Sequence, residues 1–198
     1  MLNFPGTEIL KNDQPAAYIL CGGKSTRMQE EKGLVLFQGK TFLRWILDAI
    51  APLTIKPILV TKNSAYQSYG LEMIRDVFED KGPVGGIHAA LLHSSQNQIL
   101  LLSCDIPKIT TEVLVYLIQK SQEFPDKISF LSDGINDYPL IGIYPKTALE
   151  TFSKSVEAGH LKLCPLVYSL PHQRVVLDPA RKISLQNINS KEQLQSLS

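Results

Sequence analysis

The sequence predicts an α/β protein organised as a three-layer, doubly wound and mostly parallel sheet. Three observations carry that prediction. Short apolar runs (16–21, 57–60 and 99–102) have strand length and are continuous rather than alternating, as strands buried on both faces require. Amphipathic segments of helical period separate them. The first and the most apolar of these runs both end in chemically loaded residues, Gly22-Gly23 and Asp105, and ligands of such sheets bind outside the carboxyl ends of strands.

Taken in order, residues 1–15 read as a lead-in broken by Pro5-Gly6 and Pro15, and 16–198 as a single domain. Ala16 to Cys21 is the first strand and 22–32 a polar glycine loop. Leu34 to Phe37 reads as extended and Gln38-Gly39-Lys40 as a turn. Thr41 is placed to cap a helix whose Phe42, Trp45, Ile46, Ala49 and Ile50 share one face, closed by Pro52. A second strand at 57–60, a short helix from Ser64 to Tyr69 ending at Gly70, and a third strand at 71–74 follow. The acidic segment Asp76, Glu79, Asp80 leads to Lys81–Gly86, read as a loop, and to a helix at 87–93. After the strand at 99–102, Thr110 or Thr111 caps a helix that turns Val113, Leu114, Leu117 and Ile118 inward. Strands near 127–131 and 139–144, a helix near 146–157, strands near 173–177 and 184–188, and a terminal helix from Ser190 complete the expected order.

Composition narrows the function. Hydrophobic residues are 44% and charged residues 20%, and twenty basic against nineteen acidic side chains leave a net charge of +1. That balance, with no clustered basic patch, argues against nucleic acid or an anionic membrane as partner. Cys21, Cys104 and Cys164 are far apart, and His88, His93, His160 and His172 stand at no zinc-ligand spacing from them, so the thiols read as reduced. The polar N-terminus lacks a signal-peptide pattern, and no apolar run approaches membrane length. The expectation is a soluble cytoplasmic protein.

The loop Gly22–Lys32 carries Lys24, Ser25, Thr26, Arg27 and Lys32, and suits an anion cradle, since glycines admit backbone N–H groups close to phosphate. It is not a P-loop: the glycine required five residues before Gly23 is Tyr18. Nor is it a dinucleotide fingerprint, because Lys24 stands where the second glycine belongs.

Leu20-Cys21-Gly22-Gly23-Lys24-Ser25-Thr26-Arg27-Met28 with Lys32 resembles the L-x-G-G-x-S-x-R-M-G-x-D-K signature of nucleotidyltransferases. With Lys32-Gly33-Leu34, Gln38-Gly39-Lys40, Asp76, Gly82-Pro83-Val84-Gly85-Gly86, Cys104-Asp105-Ile106-Pro107 and Asn187-Ile188-Asn189-Ser190-Lys191-Glu192, the chain is similar to the molybdenum cofactor guanylyltransferases over nearly its whole length. The resemblance implies a Rossmann-like nucleotidyltransferase fold and transfer of GMP from GTP to the phosphate of molybdopterin, with Mg²⁺ as cofactor and pyrophosphate leaving. It implies Lys32, Asp105 and Arg27 as catalytic residues, and Leu20, Cys21, Gly22, Gly23, Lys32, Thr61, Asp76 and Asp105 around the nucleotide. Asp105 would bind the metal, the 82–86 glycines would lie beside the base, and Asn187 and Asn189 would face the acceptor. Further partners would be other proteins of molybdenum cofactor biosynthesis or molybdoenzyme chaperones.

The residue types fit that chemistry. Nucleotidyl transfer needs a triphosphate held still, neutralised, and aligned with an incoming phosphate oxygen. A strand-end carboxylate suits Mg²⁺, which prefers oxygen ligands and substrate phosphates. A phosphate nucleophile is already ionised and requires no general base. Plainer roles stand beside these: Gly22-Gly23 as an ordinary turn, Asp105 as a turn residue before proline, Asp76 as part of a solvated acidic loop, and Asn189 as a helix N-cap. Cys21 and Cys104 also read as core thiols, and His160 as a surface residue. Two positions depart from the family pattern. Gln29 replaces the glycine after Arg-Met, and Thr61, with Asn63 nearby, replaces an asparagine near the base. A molybdopterin cytidylyltransferase, a sugar-phosphate nucleotidyltransferase and a non-catalytic nucleotide-binding homologue are the alternatives.

Overall fold

The computed structural model describes residues 14–21, 31–78, 81–186 and 188. The expected lead-in therefore lies almost wholly outside the described residues, as does the terminal helix from Ser190.

Strand β1 (Ala16–Leu20) is central, hydrogen-bonded in parallel to β4 (Ile58–Val60) on one side and β6 (Gln98–Ser103) on the other. β5 (Met73–Ile74) extends the sheet beyond β4, also in parallel. Beyond β6 lie β8 (Asp137–Pro145), β7 (Ile128–Ser132) and β9 (His172–Val176), giving the order β5-β4-β1-β6-β8-β7-β9. Among the described strands of this sheet, β8 alone runs antiparallel to its neighbours, opposing Leu100 with Ile143 on one side and Ser129 with Ile143 on the other. The other six strands thus end on the same edge. β2 (Leu36–Phe37) and β3 (Lys40–Thr41) form a separate antiparallel hairpin around the expected turn.

Helices cover both faces. Helix α1 (Phe42–Ile50) starts where Thr41 accepts a hydrogen bond from the Arg44 N–H at 3.2 Å, and α3 (Thr111–Ser121) starts at Thr110, which accepts from the Val113 N–H. Together they bury Leu43, Ile46, Ile50, Val113, Leu114 and Leu117 against one face of the sheet. On the other face α2 (Gly82–His93) and α4 (Leu149–Glu157) pack Val84, Ile87, Leu91, Phe152 and Val156 against Tyr18, Leu101 and Phe130. Trp45 is half-buried, closing the β2–β3 hairpin by donating its indole N–H to the Phe37 carbonyl at 2.8 Å. Among the described residues no helix is long and apolar enough to cross a membrane.

Three expectations are corrected. Residues 82–86 are not a loop but the first turns of α2, since Pro83 has no N–H to lose in the first turn. The run 184–188 is not a strand: Lys182–Leu185 is a 3₁₀ turn with Ser184 and Leu185 buried. A helix absent from the expected order, α5 (Leu163–Tyr168), buries Val167 beside β8.

Candidate active site

The parallel strands bring the carboxyl ends of β5, β4, β1 and β6 side by side, and backbone hydrogen bonds lock them past the last paired residues. The Cys21 N–H donates to the Val60 carbonyl at 3.1 Å, and the Cys104 N–H to the Leu20 carbonyl at 3.2 Å. The two thiols consequently sit together in the core, fully or almost fully buried. A hydrogen bond to Cys104, reinforced by burial, pushes the Cys21 thiol well above its ordinary range. The Cys21 thiol is therefore a neutral core group.

Two residues beyond β6, Asp105 meets Lys32. The ammonium lies 3.0 Å from Oδ2, with both side chains partly exposed, at 23% and 14%. The Ser103 hydroxyl donates to the other carboxylate oxygen, Oδ1. Lys32 opens a 3₁₀ turn, Lys32–Leu34, in which the Leu34 N–H donates to the Glu31 carbonyl at 2.9 Å. The Asp105 carbonyl accepts from the Ile188 N–H at 3.2 Å, so the chain between the expected acceptor residues runs directly against the aspartate. Among the described residues no three His, Cys, Asp or Glu side chains cluster as a ligand set. A hard cation held mainly by substrate phosphates needs only one or two protein carboxylates, and Asp105 offers a partly exposed one at this edge.

Asp76 follows β5 and lies over the start of α2. A Cβ placed on Gly85 would be 3.5 Å from Asp76 Oδ2, and one on Gly86 3.7 Å from Oδ1 and 3.0 Å from Leu20 Cδ2. The two glycines thus let the carboxylate and the end of β1 close on the helix. Burial raises the Asp76 pKa, opposed by the Lys62 charge. Thr61 is buried just past β4, with its Oγ1 accepting from the Asn63 N–H at 3.1 Å, while Asn63 caps the next turn by accepting from the Ala65 N–H at 2.9 Å. Thr61 therefore lies at the same edge with its hydroxyl engaged in a turn.

The structure brings Leu20, Cys21, Lys32, Thr61, Asp76 and Asp105 to one sheet edge; Gly22, Gly23, Arg27, Gln29, Asn187 and Asn189 lie outside the described residues. Two contributors escaped the sequence reading. Ser103 could have been found from its place two residues before Asp105, whereas Tyr66, buried under Gly33, carries no local signal.

Residues 17–168 match the MobA-like NTP transferase domain model. A probable molybdenum cofactor guanylyltransferase of Flavobacterium johnsoniae is 46% identical over 180 residues, covering 91% of this chain and 94% of that protein. The molybdenum cofactor guanylyltransferase of Vibrio vulnificus is 31% identical, covering 89% and 91%. The crystal structure of molybdopterin-guanine dinucleotide biosynthesis protein A from Archaeoglobus fulgidus shares the fold, with a TM-score of 0.80 at 24% identity over 92% of this chain and 96% of that one. With a matching domain that spans most of the sheet and relatives aligned along nearly their full length, the chain belongs to the MobA-like NTP transferase family and is a nucleotidyltransferase.

Proposed function

We propose that the protein transfers GMP from GTP to the terminal phosphate of molybdopterin and releases pyrophosphate. The observation that carries this reading is the Lys32–Asp105 pair at the adjoining carboxyl ends of β1 and β6. Support also comes from the names of the relatives in Flavobacterium johnsoniae and Vibrio vulnificus, a probable molybdenum cofactor guanylyltransferase and a molybdenum cofactor guanylyltransferase.

In the reaction an acceptor phosphate oxygen forms a bond to the α-phosphorus of GTP, the bond to the bridging oxygen of the β-phosphate breaks, and the electron pair leaves with pyrophosphate. Lys32 holds the triphosphate and offsets the negative charge gathered as the bridging bond breaks, with Arg27 and the backbone at Gly22 and Gly23 completing the cradle. Asp76 contacts the base or the ribose of the nucleotide, with Leu20 and Thr61 beside the nucleoside. Asn187 and Asn189 face the acceptor. Asp105 would hold Mg²⁺, which supplies electrophilic polarisation of the phosphates when bound. Ser103 and Lys32 keep the Asp105 carboxylate oriented toward the crevice. Since the acceptor phosphate is anionic, no residue has to remove a proton from it. The whole of 16–198 acts as one domain in the cytoplasm, and handover of product engages other molybdenum cofactor proteins or molybdoenzyme chaperones.

The test is pyrophosphate release from the protein with Mg²⁺, molybdopterin and each nucleoside triphosphate in turn. Release with GTP is expected. A preference for CTP would make the protein a cytidylyltransferase, and nucleotide binding without turnover would remove the catalytic assignment.

A further inference from the structure

Lys32 is gripped on both sides by one buried residue. Tyr66, fully buried within the 3₁₀ turn Ser64–Tyr69, donates its hydroxyl to Glu31 Oε2 at 3.4 Å. Its ring lies against the next residue but one: a Cβ placed on Gly33 would stand 2.6 Å from the Tyr66 hydroxyl oxygen and 3.0 Å from Cε1. Only glycine at 33 allows that approach. Glu31 and Gly33 are the immediate neighbours of Lys32, and the Leu34 and Val35 N–H groups close the same turn onto the Glu31 and Lys32 carbonyls at 2.9 and 3.2 Å.

The clamp itself is anchored. Tyr69, in the same turn, shares a 2.6 Å hydrogen bond with Thr41 Oγ1, the residue that caps α1. Burial pushes the Tyr66 phenol far above its usual range, and the neighbouring Cys104, Cys21 and Glu31 push the same way. A backbone hydrogen bond from Gly33 pulls the other way.

We infer that Tyr66 is a positioning residue, which holds the Glu31 carboxylate and the Gly33 backbone on either side of Lys32 and so aims its ammonium at the polyphosphate of the bound nucleotide. The inference rests on the proposed triphosphate role of Lys32. Its consequence is selective. Loss of the hydroxyl loosens Lys32 and weakens contacts to the β- and γ-phosphates, while contacts to base and ribose, made from Asp76 and the end of β4, are unaffected.

Calorimetric titration with GTP and with GMP, each with Mg²⁺, reads this directly in wild type, Tyr66→Phe and Gly33→Ala. Tyr66→Phe keeps the ring that fills the core and is expected to melt near wild type. Its GTP dissociation constant should rise about tenfold, the size of one charge-linked hydrogen bond, with GMP binding unchanged. Gly33→Ala should show the same GTP-selective loss, partly restored when Tyr66→Phe is added, because the closest clash is with the hydroxyl. Unchanged GTP binding in Tyr66→Phe, or equal loss of GTP and GMP, would overturn the positioning role while leaving the proposed function standing. A wild-type protein that binds GTP no better than GMP would instead bring down the triphosphate reading, and Tyr66's role with it.

Discussion

At the residue scale the site depends on a few groups whose environments differ. The Lys32–Asp105 pair is partly open to solvent, and pairs of that kind contribute about 0–1 kcal/mol to stability. Lys32→Ala should therefore unfold at nearly the wild-type denaturant midpoint while kcat for pyrophosphate release falls on the order of 10²–10³-fold, the range seen when a preorganised stabiliser of transition-state charge is removed. Asp76 behaves differently because burial raises its pKa. A carboxyl whose folded pKa is raised favours folding below its unfolded pKa and loses that contribution as pH rises through the folded value. Asp76→Asn removes the cost of ionising a buried acid, so thermal melts at neutral pH should show the variant at least as stable as wild type. The difference should fade as pH falls through the raised pKa toward 3.8. GTP binding by the same variant should weaken at neutral pH. A stable variant with unchanged GTP affinity would remove Asp76 from the base site. The meeting of Asp76 and Asp105 at one edge was legible from local sequence, since each closely follows a strand, and Lys32 was legible from the motif it closes. Ser103 was missed although its spacing from Asp105 signals it, whereas Tyr66 was not legible, because its contact with Gly33 depends on what the fold lays beside it.

At the scale of elements, the junction of β5 and α2 shows how backbone chemistry shapes the site. Gly85 and Gly86 lie inside a helix, where glycine costs about 1 kcal/mol relative to alanine. They stay close-packed against Lys81, Asp76 and Leu20: a Cβ at Gly85 would meet Lys81 Cβ at 2.8 Å. Gly85→Val should destabilise the protein by about 1–3 kcal/mol, the usual cost of overpacking, despite leaving the helix with a more restricted backbone. Urea unfolding measures it, and an unchanged midpoint would show that α2 can move away from Asp76 without cost. The same junction explains an error of sequence reading. Three glycines and a proline in 82–86 look like a loop when only local preference is considered, but proline fits a first helical turn and the glycines answer to tertiary contact. The short α5, with Pro165 inside it, escaped for the converse reason, its helix being too brief to show a period. Leu185 and Ile188 suggested a strand over 184–188, yet Ser184 and Leu185 are buried in a 3₁₀ turn beside the sheet.

At the scale of the molecule, alternating apolar runs and amphipathic segments sufficed for the class of fold, because strands covered on both faces must be apolar throughout. Ile99 to Leu102 on β6 are all fully buried, alternate residues serving the two opposite core clusters. Leu101→Ala should accordingly cost about 2–5 kcal/mol in urea unfolding. The reversal of β8 was not legible. Its residues are as apolar as those of a parallel strand, and its direction is set by the short turn that returns the chain from β7. That reversal leaves β9 parallel to β7, so all six co-directional strands end on the edge that carries Lys32, Asp76 and Asp105.

Asp105 is the carboxylate at the centre of the proposed nucleotidyl transfer. The most direct measurement is Mg²⁺-dependent pyrophosphate release from GTP and molybdopterin by Asp105→Ala, alongside its thermal melt. We expect turnover to fall to background while the melt stays close to wild type, since Asp105 is partly exposed and contributes little core area. Near-normal turnover in a folded Asp105→Ala protein would contradict the assignment.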